Sequence, residues 1–413
     1  MKKIGLVLLT IIFIFTLVGC SSSGQKEAAV EQSQEISKEN KQQVTNPDGG
    51  NLSESQTGTS SDESMDPGKV GDLSLNGIGL NKGLDKTGED TNVNFPDKKN
   101  TKSNKNLIEE NNDDIAVYPE YFSPFTGEPI LKPSLERTIM TCIDNSAAAR
   151  PQAGLDEALI VYEMLVEGGV TRFLALYWQD IPDQIGPIRS VRPYMIKIAS
   201  EYNALLLHAG ASPRGFALLE KSHVDHLDQI FKGSYYWRTS DREAPHNLYT
   251  GGFKIKDYLK NLTGQEYDER FKFNKVSFVS SGDIRAGKIY IYFWGGYKVL
   301  YKYNSRENLY YRYINDFNTP HRNEDDKHLT ARNIIIQYVP TSVIDDVGRL
   351  EMDLTGAGDA LIFKNGIVIE GLWKNLNGSR TDFYNNNGEQ VSFNPGQTWI
   401  IIVPETTYVD YEE

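Results

Sequence analysis

The chain has 413 residues, a formal charge of −13, and 39% hydrophobic against 24% charged residues. Acidity of that size excludes nucleic acid as a bulk electrostatic partner and makes any local basic cluster stand out from its background. The length predicts a folded part of one large or two medium domains, and two cysteines permit at most one disulfide.

Lys2 and Lys3 precede an apolar run over residues 4–18, which ends in Leu17-Val18-Gly19-Cys20 followed by three serines. A basic head, a short apolar middle and small residues before a cleavage point predict a lipoprotein signal peptide over residues 1–19, too short for a membrane-spanning helix. Cys20 then becomes the first mature residue and carries the lipid. Two or more acyl chains hold a protein on a bilayer stably, so the expected place is the outer face of the cytoplasmic membrane, with the membrane as a partner. Removing residues 1–19 takes away two lysines and moves the charge from −13 to −15. With Cys20 acylated, Cys142 has no thiol to pair with, and its strand context predicts a small buried hydrophobe.

Residues 20–115 are rich in Ser, Asn, Gln, Glu, Lys, Asp and Gly, with Phe95 the only aromatic residue. Such a composition cannot offset the entropy of ordering, so a disordered tether is expected, with a root-mean-square span of about 55 Å.

The fold class expected for the remainder is α+β: an N-terminal α/β domain with a mixed sheet over residues 116–265, then a mostly antiparallel β-rich domain over 273–405. In the first, residues 137–144 and 172–178 read as strands, 155–167 as an amphipathic helix, 193–202 as a helix with Pro at its first position, 204–209 as a strand and 213–220 as a helix. In the second, Tyr297, Val299, Tyr301 and Tyr303 alternate with Lys298, Leu300 and Lys302. Asn365-Gly366 and Asn387-Gly388 each fall between apolar runs, the strongest short hairpin signal.

The stretch Ile185-Gly186-Pro187-Ile188-Arg189-Ser190-Val191-Arg192-Pro193 sets two arginines around a serine where a helix begins. Unpaired helix N–H groups attract anions, and guanidinium forks grip phosphate or carboxylate, so Arg189, Ser190 and Arg192 form a candidate anion cradle. Arg172, after the Gly168-Gly169 turn, and Arg150, closing Asn145-Ser146-Ala147-Ala148-Ala149-Arg150, are candidate members of the same group. A blander reading pairs these arginines with Asp144, Glu163 or Glu167. Asp144, Asn145, His208, His246 and Asn247 are possible supporting residues. The Gly210-Ala211-Ser212 spacing lacks the closing glycine of a nucleophile elbow. His223 and His226, like His321 and His328, have no third ligand specified, so no metal is expected. With no phosphate-binding glycine loop of the Walker or dinucleotide kind, no cofactor is expected either. Trp294, Tyr310, Tyr311 and Trp373 could stack on sugar rings, though filling the inner face of a sheet is the simpler use.

Several segments resemble the YerB-like lipoproteins of Gram-positive bacteria: Ser123-Pro124-Phe125-Thr126-Gly127, Ile143-Asp144-Asn145-Ser146, Glu167-Gly168-Gly169-Val170-Thr171-Arg172, Gly186-Pro187-Ile188-Arg189-Ser190-Val191-Arg192-Pro193, Ala244-Pro245-His246-Asn247-Leu248-Tyr249 and Pro395-Gly396-Gln397-Thr398-Trp399. The resemblance spans nearly all of residues 120–405. It implies a lipid-anchored envelope protein with two domains of unknown function and carries no assigned catalytic residue. The expectation is thus a surface lipoprotein, more a binding module than an enzyme, that holds an anionic envelope component or a partner protein on its arginines. An enzyme acting on phosphorylated cell-wall glycan or a lipid-linked precursor is one alternative, and a solute receptor is another.

Overall fold

A computed structural model describes residues 119–274 and 279–413. The expected signal peptide, Cys20 and tether lie outside the described residues.

The backbone of the molecule is one long mixed sheet. In chain order its main strands are β1 (Ile139–Asp144), β2 (Ile160–Leu165), β3 (Thr171–Tyr177), β4 (Leu205–His208) and β5 (His226–Asp228) from the N-terminal half. Three α-helices among the described residues accompany them: α1 (Pro193–Glu201), α2 (Pro213–Lys221) and α3 (Gly252–Leu259). The C-terminal half supplies β6 (Lys288–Tyr292), β7 (Lys298–Asn304), β8 (Leu309–Ile314), β9 (Asn333–Val339), β10 (Gly356–Lys364), β11 (Ile367–Asn375), β12 (Thr398–Pro404) and β13 (Tyr408–Glu412).

The long sheet runs β11-β10-β9-β12-β2-β3-β1-β4-β5, while β8-β7-β6-β13 form the body of a second, antiparallel sheet. The two halves share the long sheet, because β12 pairs in parallel with β2, Thr398 opposite Ile160 and Ile402 opposite Met164. β1, β2, β3 and β12 are buried along their whole length. Strands covered on both faces read as mainly apolar runs, and in these the only charged residues are Asp144, Glu163 and Arg172.

One element differs in type from the sequence reading. Residues 155–167 do not form a helix; their centre is β2. Asp156, Glu163 and Glu167 align at helical spacing like the polar face of an amphipathic helix, but Glu163 is wholly buried against Arg312, and the β-branched and aromatic run Ile160-Val161-Tyr162 favours the strand.

The hairpin signals are satisfied in two ways. Asn365 (φ 54°) and Gly366 (φ 69°) close β10 onto β11 as a two-residue turn, with Lys364 opposite Ile367. At Asn387-Gly388 only the glycine takes positive φ, and its N–H reaches the Asn385 carbonyl at 2.9 Å within a longer connection that bridges Tyr384 and Gln390. Tyr310 and Trp373 are fully buried, so they belong to the core, while Trp294 is 37% exposed.

Alternation across the sheet divides the polar residues between its faces. On one face Cys142 Sγ lies 3.8 Å from Met195 Sδ of α1, and Tyr194 of α1 donates to the Leu165 carbonyl at 2.6 Å. The other face meets the second sheet, where Tyr301 and Phe173 each set an edge against Trp399.

Candidate functional site

Asp144 closes β1 and Arg172 is the second residue of β3, and the two are register partners on the helix-covered face. β1 and β4 are parallel, and beyond their carboxyl ends the loop 189–192 runs beside the loop 209–212, joined by a Val191–Ala211 bridge. α1 and α2 start from those loops, with Pro193 and Pro213 at their first positions. The crevice outside the carboxyl ends of parallel strands, at helix starts, is where α/β sheets hold ligands.

Asp144 is the hub. It is 2% exposed; Oδ2 accepts from His246 Nδ1 at 2.8 Å and from Ser146 Oγ at 3.1 Å, and Oδ1 accepts from the Ser146 N–H at 3.0 Å. Arg189 Nε sits 3.1 Å from the same Oδ2, out of line for a hydrogen bond. Burial opposes ionisation here, yet the His246 bond and the charges of Arg189 and Arg172 outweigh it and hold the carboxyl well below its usual range. Asp144 is therefore an acceptor only. Its partner nitrogen Nδ1 on His246 therefore carries a proton, and in the neutral ring Nε2 is the acceptor.

The arginines meet different fates. Arg192 is neutralised: Nε and Nη2 grip the two oxygens of Glu167 at 2.7 and 2.5 Å. Arg189 shares Asp144 with His246. Arg172 is 6% exposed, has no carboxylate within 4.0 Å among the described residues, and keeps Nε without any acceptor. Its Nη1 donates to the Ser190 carbonyl at 2.5 Å and approaches Ser190 Oγ at 3.3 Å, where Nη1 of Arg192 also arrives at 3.3 Å. Burial, with Arg192 and Arg189 adding repulsion, pulls Arg172 down to about 10. Cys142, beneath this group, is buried as expected, and burial pushes its thiol up to about 11.

Arg238, exposed at the rim, was not singled out by sequence. Repulsion from Arg189, after burial, lowers its affinity for a proton, which places it in the same field. Asn247 orients it, accepting from Arg238 Nη1 at 2.8 Å while donating to the carbonyls of Thr239 and Arg242 at 2.8 and 3.0 Å. Asn247 thus fixes the loop that carries His246.

Three residues do not join the group. Arg150 turns to the opposite side, donating to Asn145 Oδ1 at 3.0 Å and to its carbonyl at 2.6 Å, with its guanidinium 4.9 Å from the Tyr297 ring. Asn145, one residue past Asp144, bonds Thr171 Oγ1 at 2.7 Å and Tyr297 Oη at 3.1 Å. His208 is wholly buried, donating from Nδ1 to the Gly210 carbonyl at 2.9 Å and accepting at Nε2 from His226 Nδ1 at 3.1 Å. Ser212 caps α2, accepting from the Gly215 N–H at 3.2 Å, which accounts for its spacing from Gly210 without any nucleophilic role.

A second polar network joins the halves and went unread in the sequence. Arg312 of β8 reaches Glu163 at 2.8 Å with neither residue exposed, and it donates Nε to His321 Nδ1 at 3.0 Å. His321 in turn meets Gln152 at 2.9 Å. An arginine at an inward position of the alternating run Tyr310–Ile314 was the available signal.

Comparison with known proteins follows the same division. Residues 125–266 match the N-terminal domain, and residues 289–400 the C-terminal domain, of the protein family of unknown function DUF3048. The chain belongs to that family. It is 34% identical over 292 residues to "Putative lipoprotein YerB" of Bacillus subtilis (strain 168), covering 68% of this chain and 86% of that one. The crystal structure of YerB protein from Bacillus subtilis superposes with a TM-score of 0.63 at 31% identity, over 70% of this chain and all of the other.

Proposed function

We propose that the chain is a lipoprotein anchored through Cys20 on the outer face of the cytoplasmic membrane, after loss of a signal peptide over residues 1–19, and that its folded part binds an anionic envelope component. One observation carries the reading. Arg172 is a buried cation with no carboxylate within 4.0 Å among the described residues and an orphaned Nε, and burying an unpaired charge costs several kcal/mol that a bound anion would recover. Arg189 stands beside it with a second Nε lacking a hydrogen bond, and Ser190 and His246 border the two. The test is calorimetric titration of phosphorylated wall fragments into the chain and into Arg172→Met. Binding by the parent that the variant loses supports the reading; equal heats in both would dismiss it.

A second reading has one observation in its favour. Asp144 holds Nδ1 of His246, the arrangement by which a carboxylate orients a general base. Turnover of a phosphorylated glycan or lipid-linked precursor that is lost in His246→Ala would establish an enzyme.

A further inference from the structure

The charges and lone pairs around Arg172 define the ligand more closely than "anionic", given the binding role proposed above. Glu167 cancels Arg192 through two bonds, and Asp144 cancels one of Arg189 and Arg172. The buried set Asp144, Glu167, Arg172, Arg189 and Arg192 keeps one positive charge, and Arg238 stands outside it at the exposed rim, where water screens its charge. A singly charged anion matches it; a second negative charge would lie against Asp144, which is ionised and buried, and like charges in so dry a place repel strongly.

The second feature is an acceptor amid donors. His246 Nδ1 and Arg189 Nε converge on one oxygen of Asp144, at 2.8 and 3.1 Å, so the imidazole and the guanidinium are immediate neighbours. In the neutral imidazole the proton at Nδ1 leaves a lone pair at Nε2, to which no described residue donates. The His246 side chain is 16% exposed, within reach of a ligand. An anion alone needs only donors. A lone pair fixed beside two guanidinium groups suits a ligand that carries a hydroxyl next to its charged group.

We propose that the site selects a hydroxylated monoanion: the charged oxygens sit on Arg172 and Arg189, and the neighbouring hydroxyl donates to Nε2 of His246. Two compound classes present that pattern, a polyol phosphodiester and a hydroxy-carboxylate. His246 is the specificity residue and the arginines supply the affinity.

The test titrates the full chain in detergent at about pH 8 with four probes: sn-glycero-3-phosphoglycerol, dimethyl phosphate, glycerol 3-phosphate and glycerate. At that pH the phosphomonoester is a dianion, its second pKa being about 6. The expected result is about tenfold tighter binding of a hydroxylated monoanion than of dimethyl phosphate, the size of one well-made hydrogen bond, and weaker binding of the dianion. Whichever of glycerophosphoglycerol and glycerate binds tighter identifies the source. His246→Ala should remove the hydroxyl preference, so that hydroxylated monoanions and dimethyl phosphate bind alike, and His246→Gln, whose amide oxygen can accept, should restore part of it. Thermal midpoints equal to the parent's keep the comparison free of misfolding. A preference unchanged in His246→Ala, or a parent that favours the dianion, would overturn the inference while leaving anion binding intact. Binding unaffected by Arg172→Met would instead strike at the functional reading beneath it.

Discussion

Glu163 of β2 and Arg312 of β8 form an ion pair at 2.8 Å in which neither side chain reaches solvent, and each comes from a different half of the family match. Tyr301 and Tyr297 also accept from the same guanidinium. The pair ties the second sheet to the long sheet through an arginine whose three nitrogens all have hydrogen-bond partners. Arg312→Met leaves Glu163 buried without its counter-charge, held only by Thr171 and Asn145, and we expect a loss of about 3–5 kcal/mol in denaturant unfolding. Adding Glu163→Leu should recover much of that, since two apolar groups need no partner. A double variant as unstable as the two single losses added together would show that the residues act independently.

The halves also touch backbone to backbone. Gly169 (φ 73°) and Gly295 (φ 74°) pack so closely that a Cβ on Gly169 would lie 2.8 Å from Gly295 Cα and from the Trp294 carbonyl oxygen. Gly169→Ala should therefore cost about 1–3 kcal/mol, combining a left-handed φ with a clash against backbone that cannot rotate away. Gly168→Ala separates the two effects, for that neighbour shares positive φ (71°) but has nothing within 4 Å. The smaller loss belongs to Gly168; equal midpoints in thermal melts would contradict the packing argument.

Acid should destabilise the fold before its carboxylates titrate. Burial, partly opposed by Asp228, depresses His208 from 6.5 to about 4, and burial with Arg312 holds His321 well below its usual value. Between those values and 6.5 the unfolded chain takes up protons that the folded chain refuses. The stability these residues contribute is thus complete above about pH 6.5 and is lost progressively as pH falls towards 4. His208→Asn, which can still donate to the Gly210 carbonyl, should flatten the fall of thermal midpoint over that window; an unchanged slope would exclude His208 as a source.

Much of the α/β half was legible: β1, β3, β4, α1 and α2 lie where apolar runs and first-turn prolines put them, and Asn365-Gly366 closes its hairpin with both residues at positive φ. Strand β2 was not, because Asp156, Glu163 and Glu167 mimic the polar stripe of a helix while Glu163 is in fact buried against Arg312. The arginine group was legible only by type. Sequence adjacency joined Asp144 to Asn145 and brought in Arg150, but successive strand residues face opposite sides, so Asp144 meets His246 while Asn145 and Arg150 turn towards Tyr297. Which arginine lacks a carboxylate is a matter of distances between loops remote in sequence. Glu167 was weighed as a possible partner, yet nothing in the chain marked it for Arg192 over Arg172.

Anchoring is testable apart from the fold. Cys20→Ser removes the only thiol at the expected cleavage point, and fractionation of cells should then find the chain in the soluble or secreted fraction, where the parent sediments with membranes. Continued sedimentation of the variant would require a different anchor.

The central claim is that Arg172 is kept buried and unpaired for an anion. Methionine fills a similar volume without charge, so Arg172→Met should raise the thermal midpoint of the ligand-free chain, the pattern of a site that gives up stability for function. In the parent, a hydroxylated monoanion such as sn-glycero-3-phosphoglycerol should raise the midpoint as its concentration increases. One melting experiment on both chains, with and without that compound, reads the two effects together. The account predicts a variant that starts higher and does not respond; a variant that melts lower than the parent, or that is stabilised equally by the compound, would contradict it.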